Sequence, residues 1–318
     1  MKKSASQQAR GGEPPALEGE ELVWLLGQPH LADYLDFVRE KVIGGDAMDP
    51  RTLADEWRAA NDYFHALEVA EAGIADAAEC LPLPAEMSPL ARALAKDRYF
   101  RDTYDTLPTE IRMVELSKLI ASQSSVSPGF SGELRARLGP KPTPQALFHF
   151  CLPAERPLPA VKARKVASGR WLFTSESTDF RLHRALLLDP AKIAGLATFG
   201  PASHVLAFPV GFGSNFLSVV RSDKRLLLQN GYHRAYTLLA AGFTHAPAVV
   251  QTVTRKDELA IAANEEVVSN AAFYFLAARP PLLRDYLDPK TSKRLLAHRM
   301  QTSVEIEVKT RTALDYRA

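Results

Sequence analysis

The chain has 318 residues, 46% apolar and 24% charged, an ordinary globular composition that excludes a collagenous, low-complexity or wholly disordered protein. Thirty-nine Lys and Arg stand against 37 Asp and Glu, a formal charge of +2, so the global electrostatic footprint of a nucleic-acid binder is missing and any such role needs a local patch. Two cysteines far apart, Cys80 and Cys151, exclude a CxxC zinc ribbon and a disulfide framework, and no apolar run reaches the ~18 residues that span a bilayer.

Residues 1 to 16 are polar, with lysines at 2 and 3 but no apolar stretch behind them, and predict a disordered arm rather than a signal peptide. From 17 to 152 the apolar residues recur mostly at helical spacing: Leu22, Val23, Trp24, Leu25 and Leu26, then Leu31, Tyr34, Leu35, Val38 and Val42. A second helix is expected from 50 to 78, opened by Asp49-Pro50, with Leu53, Trp57, Ala60, Phe64 and Leu67 as its stripe. Further helices are expected at 89 to 104 and 145 to 150. Residues 113 to 120 alternate partly with period two and fit a strand with a short helical turn, a third helix fitting nearly as well, and the choice stays open. These readings predict an N-terminal helical domain over 17–152.

Prolines at 153, 157 and 159 mark an extended connection up to about 170, where a domain boundary is expected. Beyond it the pattern turns β-like at 171 to 174, 186 to 188 and 205 to 210. Residues 171–318 are read as a mixed α/β domain, so the fold class is α+β. Within it, 216 to 220 and 225 to 229 form β-runs around a polar turn. Asn230-Gly231 then breaks the second run, and Ala235, Leu238, Leu239 and Gly242 fall at i, i+3, i+4 and i+7. Gly242 is placed to end that helix before a strand starting at Pro247. The order is strand, turn, helix, strand.

The start of that helix carries the candidate chemistry: Asn230, Gly231, Tyr232, His233 and Arg234. The first N–H groups of a helix lack intrahelical partners and lie at the positive end of its dipole. A glycine permitting close approach, a ring N–H from His233 and the planar fork of Arg234 would together suit a phosphate. Alone, the same five residues could be an ordinary turn leading to a solvated helix face. The upstream loop Gly211-Phe212-Gly213-Ser214-Asn215 offers a second wall, with Gly213, Ser214 and Asn215 as further binding candidates.

The segment LLLQNGYHRAYTLLAAG, 226 to 242, resembles the nucleotide-binding segment of the ParB/sulfiredoxin superfamily, in which a strand runs into G-x-[HR]-R and an apolar helix ending in glycine. Gly231, His233 and Arg234 match position by position. The resemblance covers about forty residues. It implies phosphate binding at this turn, of ATP as in sulfiredoxins and a free-serine kinase or of CTP as in chromosome-partitioning ParB, with Mg2+ accompanying the nucleotide. Some members are described as nucleases. Tyr232 departs from the pattern, since sulfiredoxins place their catalytic cysteine there and ParB clamps an acid. No helix-turn-helix pattern follows Val253. A catalytic residue is therefore not assigned.

Other groups are weighed against plain readings. Asp179, Arg181, His183 and Arg184 have types suited to a ribose or a catalytic step but read better as surface charge. Glu265 and Glu266 could hold a divalent ion, yet adjacent helix residues point apart. The histidines show no HxH or HExxH spacing, so no dedicated metal site is expected. Residues 303 to 309 alternate strictly and predict an edge strand that joins the sheet or a second subunit. The expected function is nucleotide binding by the ParB-like core, extended to phosphoryl transfer or nucleotide hydrolysis. The rival is a non-catalytic scaffold or protein-interaction protein with a degenerate core. Expected partners are a nucleotide and a protein or second subunit, with DNA disfavoured by the balanced charge and a membrane excluded. The expected setting is the reduced cytoplasm, with both cysteines as small buried side chains.

Overall fold

The computed structural model describes residues 19–28, 30–154, 158–177, 179–195, 198 and 200–312. The arm expected at 1 to 16 and the chain end beyond 312 lie outside these. The first half holds β1 (Gly19–Leu25), α1 (Leu31–Lys41), α2 (Pro50–Ala70), β2 (Cys80–Leu81), α3 (Ser88–Leu94) and α4 (Arg98–Tyr104). It continues with β3 (Thr109–Glu115), β4 (Ile120–Ala121), β5 (Ser125–Val126), α5 (Pro128–Leu138) and α6 (Pro144–Cys151). After it come β6 (Lys162–Ala167), β7 (Arg170–Ser175), β8 (Phe180–Leu182), β9 (Leu186–Leu188), β10 (Val205–Ala207) and β11 (Val210–Phe212). The last third is β12 (Ser218–Ser222), β13 (Arg225–Asn230), α7 (Tyr232–Ala240), β14 (His245–Val253), α8 (Lys256–Ala262), α9 (Glu265–Ser269), α10 (Ala271–Phe275), β15 (Ser292–His298) and β16 (Thr302–Glu307).

The protein is α+β, but the helical N-terminal domain is not a separate unit. The central sheet runs β2-β3-β14-β12-β13-β4, so three of its six strands come from before residue 152. β14 pairs antiparallel with β3 over Gln251 to His245 and parallel with β12, while β13 pairs parallel with β4. A second sheet, β15-β1-β5, again joins both halves. One buried cluster unites Leu116, Leu119 and Phe148 with Val219, Leu226, Leu228, Ala235 and Leu238. Burying that apolar surface across the expected boundary is the dominant favourable term in forming this fold.

The departures have local causes. The run Leu22 to Leu26 looks helical by spacing, yet it is strand β1, laddered to β15 from Gly19↔His298 to Leu25↔Ser292; short apolar runs do not distinguish the two periods. α2 starts as expected, with the Asp49 carboxylate accepting from Arg51 N and Thr52 N and Pro50 in the first turn. It stops at Ala70 rather than 78, because Gly73 takes a left-handed φ of 77° and a short 3-10 turn follows. The helix expected over 89 to 104 is two, the second restarted by Asp97, whose side chain accepts from Phe100 N at 2.9 Å. Residues 113 to 120 resolve as the end of β3, a 3-10 turn and the start of β4. The expected extended connection contains β6, a hairpin partner of β7.

Candidate functional site

β13 enters α7 through Gly231, whose φ of 89° is left-handed. A side chain there would be strained, and a Cβ would lie 3.0 Å from the Leu217 Cα. The predicted strand, turn, helix and strand are therefore present, with Gly242 (φ 85°) just past the helix end. α7 is buried along much of its surface: Tyr232, Arg234, Ala235, Tyr236, Thr237 and Leu238 are all inside.

The loop 213–215 and the turn 230–234 meet. Asn230 bridges them, its Nδ2 donating to the Ser214 carbonyl while its Oδ1 accepts from Gly231 N at 2.7 Å. Ser214 Oγ lies 3.1 Å from the Tyr104 hydroxyl at the end of α4. Asn215 Oδ1 accepts from Arg234 Nη2. Gly213 faces Asp179 and Arg181, where a Cβ would fall 2.7 Å from Arg181 Nη2, and Gly211 faces His183, 3.1 Å from its Nε2 by the same construction. The β8–β11 ladder, with Arg181 opposite Gly211, makes that juxtaposition. Asp179 and Arg181 pair with each other.

The individual side chains do other work than the sequence implied. Arg234, read as an exposed fork, is only 7% exposed. Its Nη1 donates to the Cys151 carbonyl at 3.0 Å and weakly to that of Phe150 at 3.4 Å. The guanidinium thus ties the end of α6 to α7 and to Asn215. The Tyr232 hydroxyl accepts from Ser122 N at 2.8 Å and Gln123 N at 3.3 Å and donates to the Leu228 carbonyl at 2.7 Å. Burial raises its pKa, keeping the phenol protonated. Tyr232 is a clamp between α7 and the loop after β4. His233 packs its ring edge-on against Phe130, 5.1 Å between centroids. Burial pushes its pKa down to about 4, Arg234 pushes the same way, and Glu20 opposes them. Near neutral pH it is an uncharged imidazole with one ring N–H to offer.

A cavity of about 690 Å³ is bounded by Tyr99, Pro153, Leu158, Val210, Phe212 and Asn215 among others; it reaches the turn only through Asn215, and none of residues 230–234 lines it. It is half open to solvent, and its lining is mostly apolar, with the Tyr99 phenol and the Asn215 amide among its polar groups. Glu265 and Glu266 do not form a pair: Glu266 Oε1 accepts from the Tyr274 hydroxyl at 2.9 Å. Among the described residues no group of three or more His, Cys, Asp or Glu side chains is arranged to hold a metal ion. Both cysteines are free; Cys151 is buried and its thiol is pushed up to about 12, while Cys80 is half-buried.

Three groups of contributors were invisible in the local pattern: Tyr99 and Tyr104 on α4, the carbonyls of Phe150 and Cys151, and the Ser122-Gln123 loop. All reach the site from distant parts of the chain, the two carbonyls from 84 and 83 residues before Arg234. Compared with protein-family models, curated proteins and solved structures, the chain gives no match.

No helix among the described residues is long and apolar enough to cross a membrane.

Proposed function

We propose that the protein binds a nucleotide, with phosphate at the start of α7 and the ring system in the adjoining cavity. The observation that carries this is the junction itself: a left-handed glycine opens α7 directly against the 213–215 loop, whose Asn215 also borders the 690 Å³ cavity. The unpartnered N–H groups and dipole of a helix start favour an anion. The resemblance of residues 226 to 242 to the ParB/sulfiredoxin superfamily supports the same ligand. Arg234 acts here as a positioning residue that fixes the turn and loop, and His233 contributes a neutral donor. Binding therefore rests on main-chain N–H groups and amide side chains more than on charge. Mg2+ would arrive with the triphosphate. The free thiols fit the reduced cytoplasm proposed from the sequence.

The experiment is a thermal-shift series with ATP, CTP, GTP and UTP, with and without magnesium, and a phosphate-release assay on the same samples. A saturating rise in melting temperature with one nucleotide supports binding, and phosphate release extends it to hydrolysis. A flat series across all four overturns it. The second reading, a scaffold that has lost its ligand, draws on the engagement of Arg234 and Tyr232 in internal hydrogen bonds, and a flat series favours it.

A further inference from the structure

The charge balance of the whole chain hides a local excess. Between residues 158 and 212 there are seven Lys and Arg but three Asp and Glu, while the rest of the chain is slightly acidic. The excess is concentrated on β6. This strand forms one edge of the three-stranded sheet β16-β7-β6, and all six of its residues are exposed. Some arginines elsewhere sit beside carboxylates: Arg112 with Glu110, Arg225 with Asp76, Arg279 with Asp285, Arg294 with Glu21. Within the hairpin lobe Arg170 is matched by Glu305 and Arg181 by Asp179. Lys162, Arg164 and Lys165 have no carboxylate within salt-bridge distance among the described residues.

The β6–β7 register disposes these cations in a particular way. Lys162 lies opposite Thr174 and Arg164 opposite Leu172, on one face of the hairpin; Lys165 lies opposite Trp171 on the other. Lys162 and Arg164 are two residues apart along a strand, about 6.6 Å, close to the step between successive phosphates of an extended polynucleotide. Trp171 is 37% exposed, and the Lys165 ammonium sits 5.8 Å from its ring centroid. The ammonium lies over the indole ring, and a base can take its place on that exposed ring while the freed lysine meets the phosphate.

We infer that the β6 edge, with Trp171, is a binding surface for single-stranded nucleic acid, gripped through phosphates by Lys162, Arg164 and Lys165 and through one stacked base by Trp171. Lysines on an edge strand also discourage strand pairing between molecules, but that function needs neither an exposed tryptophan nor arginine. An acidic polypeptide would satisfy the cations and leave the indole without a partner. The recognised chemistry, phosphate plus base face, is shared by DNA and RNA.

The test uses the full chain and fluorescence anisotropy with labelled oligodeoxythymidylate and oligouridylate at 50 to 200 mM salt. Wild type should bind at least one of them. The triple variant Lys162→Glu, Arg164→Glu, Lys165→Glu should bind at least tenfold more weakly and flatten the salt dependence by about two log units per decade, at roughly 0.7 for each phosphate contact to a single strand. Trp171→Ala should lose about fivefold or more while keeping the wild-type salt slope. Circular dichroism of both variants should match wild type, because the substituted residues are exposed. No binding of either oligonucleotide at 50 mM salt, unchanged affinity in the triple variant, unchanged affinity in Trp171→Ala, or displacement of the oligonucleotide by polyglutamate at equal charge concentration would each overturn the proposal, the last in favour of an acidic protein partner.

Discussion

The Arg234 guanidinium, the most charged group of the candidate phosphate turn, donates 3.0 Å to the main-chain carbonyl of Cys151, a residue 83 positions earlier. A side chain that the sequence places on an exposed helix face is thus an internal strut between α6, α7 and the 213–215 loop. Arg234→Ala should therefore unfold more easily, by about 2–4 kcal/mol, since it removes charge-assisted hydrogen bonds and leaves buried acceptors to be satisfied by water. Arg234→Lys should recover part of this, because an ammonium reaches fewer acceptors than the fork. Urea denaturation of the three proteins at neutral pH measures it. A variant as stable as wild type would return Arg234 to the surface role.

Gly231 carries a second, independent demand. Its φ of 89° and the 3.0 Å approach of the Leu217 Cα to any added Cβ make Gly231→Ala costly in two ways. Left-handed strain contributes about 1–2 kcal/mol, and Leu217 must shift as well. The comparison is Gly242→Ala, also at positive φ but with open space around its Cβ. Gly231→Ala should lose more stability than Gly242→Ala in the same urea titration.

The legible part of this fold was the part written locally. Residues 225 to 253 gave their strands, turn and helix because Asn230-Gly231, the polar turn at 221–224 and the Ala235, Leu238, Leu239 stripe all act within a few residues. The edge strand at 303 to 309 was legible by its alternation, and it joins β7 within the chain as β16. What could not be read was assembly. β2, β4 and β5 are two residues each, and only their partners make them strands. Leu22 to Leu26 had the right apolarity for a helix and became a strand because β15 lies beside it. At the site, the same limit appears: Asn230, Ser214 and Asn215 were named from their local chemistry, whereas Tyr104 and the carbonyls that engage Arg234 required the fold.

A third prediction concerns the buried ion pair beneath α2. Arg279 is 1% exposed and forks onto both oxygens of Asp285, itself 3% exposed, while its Nε reaches Glu71 at 3.0 Å and its guanidinium lies 4.9 Å over the Phe64 ring. Removing Asp285 leaves the buried guanidinium with Glu71 at its Nε and its two Nη groups without their carboxylate, so Asp285→Ala should cost about 3 kcal/mol or more. The exposed pair Arg58–Asp55 is the control: Asp55→Ala should change stability by less than about 1 kcal/mol. Equal effects at the two sites would show that the Arg279 network is not insulated from water.

His233 gives the pH dependence a definite sign. In the folded protein burial and Arg234 disfavour its protonation and hold the pKa at about 4, against 6.5 for a free imidazole, with Glu20 opposing. Between those values the unfolded chain binds a proton that the native state refuses. Stability must therefore fall as pH drops from about 6.5 toward 4 and be independent of this group above 6.5. The slope approaches 1.4 kcal/mol per pH unit, so lowering the pH from 7.5 to 5.0 should cost wild type roughly 2 kcal/mol through His233 alone. Carboxylates held low by partners, such as Glu115, which against its burial accepts from the Glu79 N–H and pairs with Lys118, and Asp76 beside Arg225, lose their contribution further down, as pH falls through and below the ordinary carboxylate range. His233→Gln keeps a neutral polar side chain and removes the titration. Urea denaturation at pH 7.5 and 5.0 should show the loss in wild type and a difference smaller by about 2 kcal/mol in His233→Gln. An identical pH dependence in the two proteins would mean that the imidazole protonates freely in the folded state, and so that the start of α7 is open to water at that position.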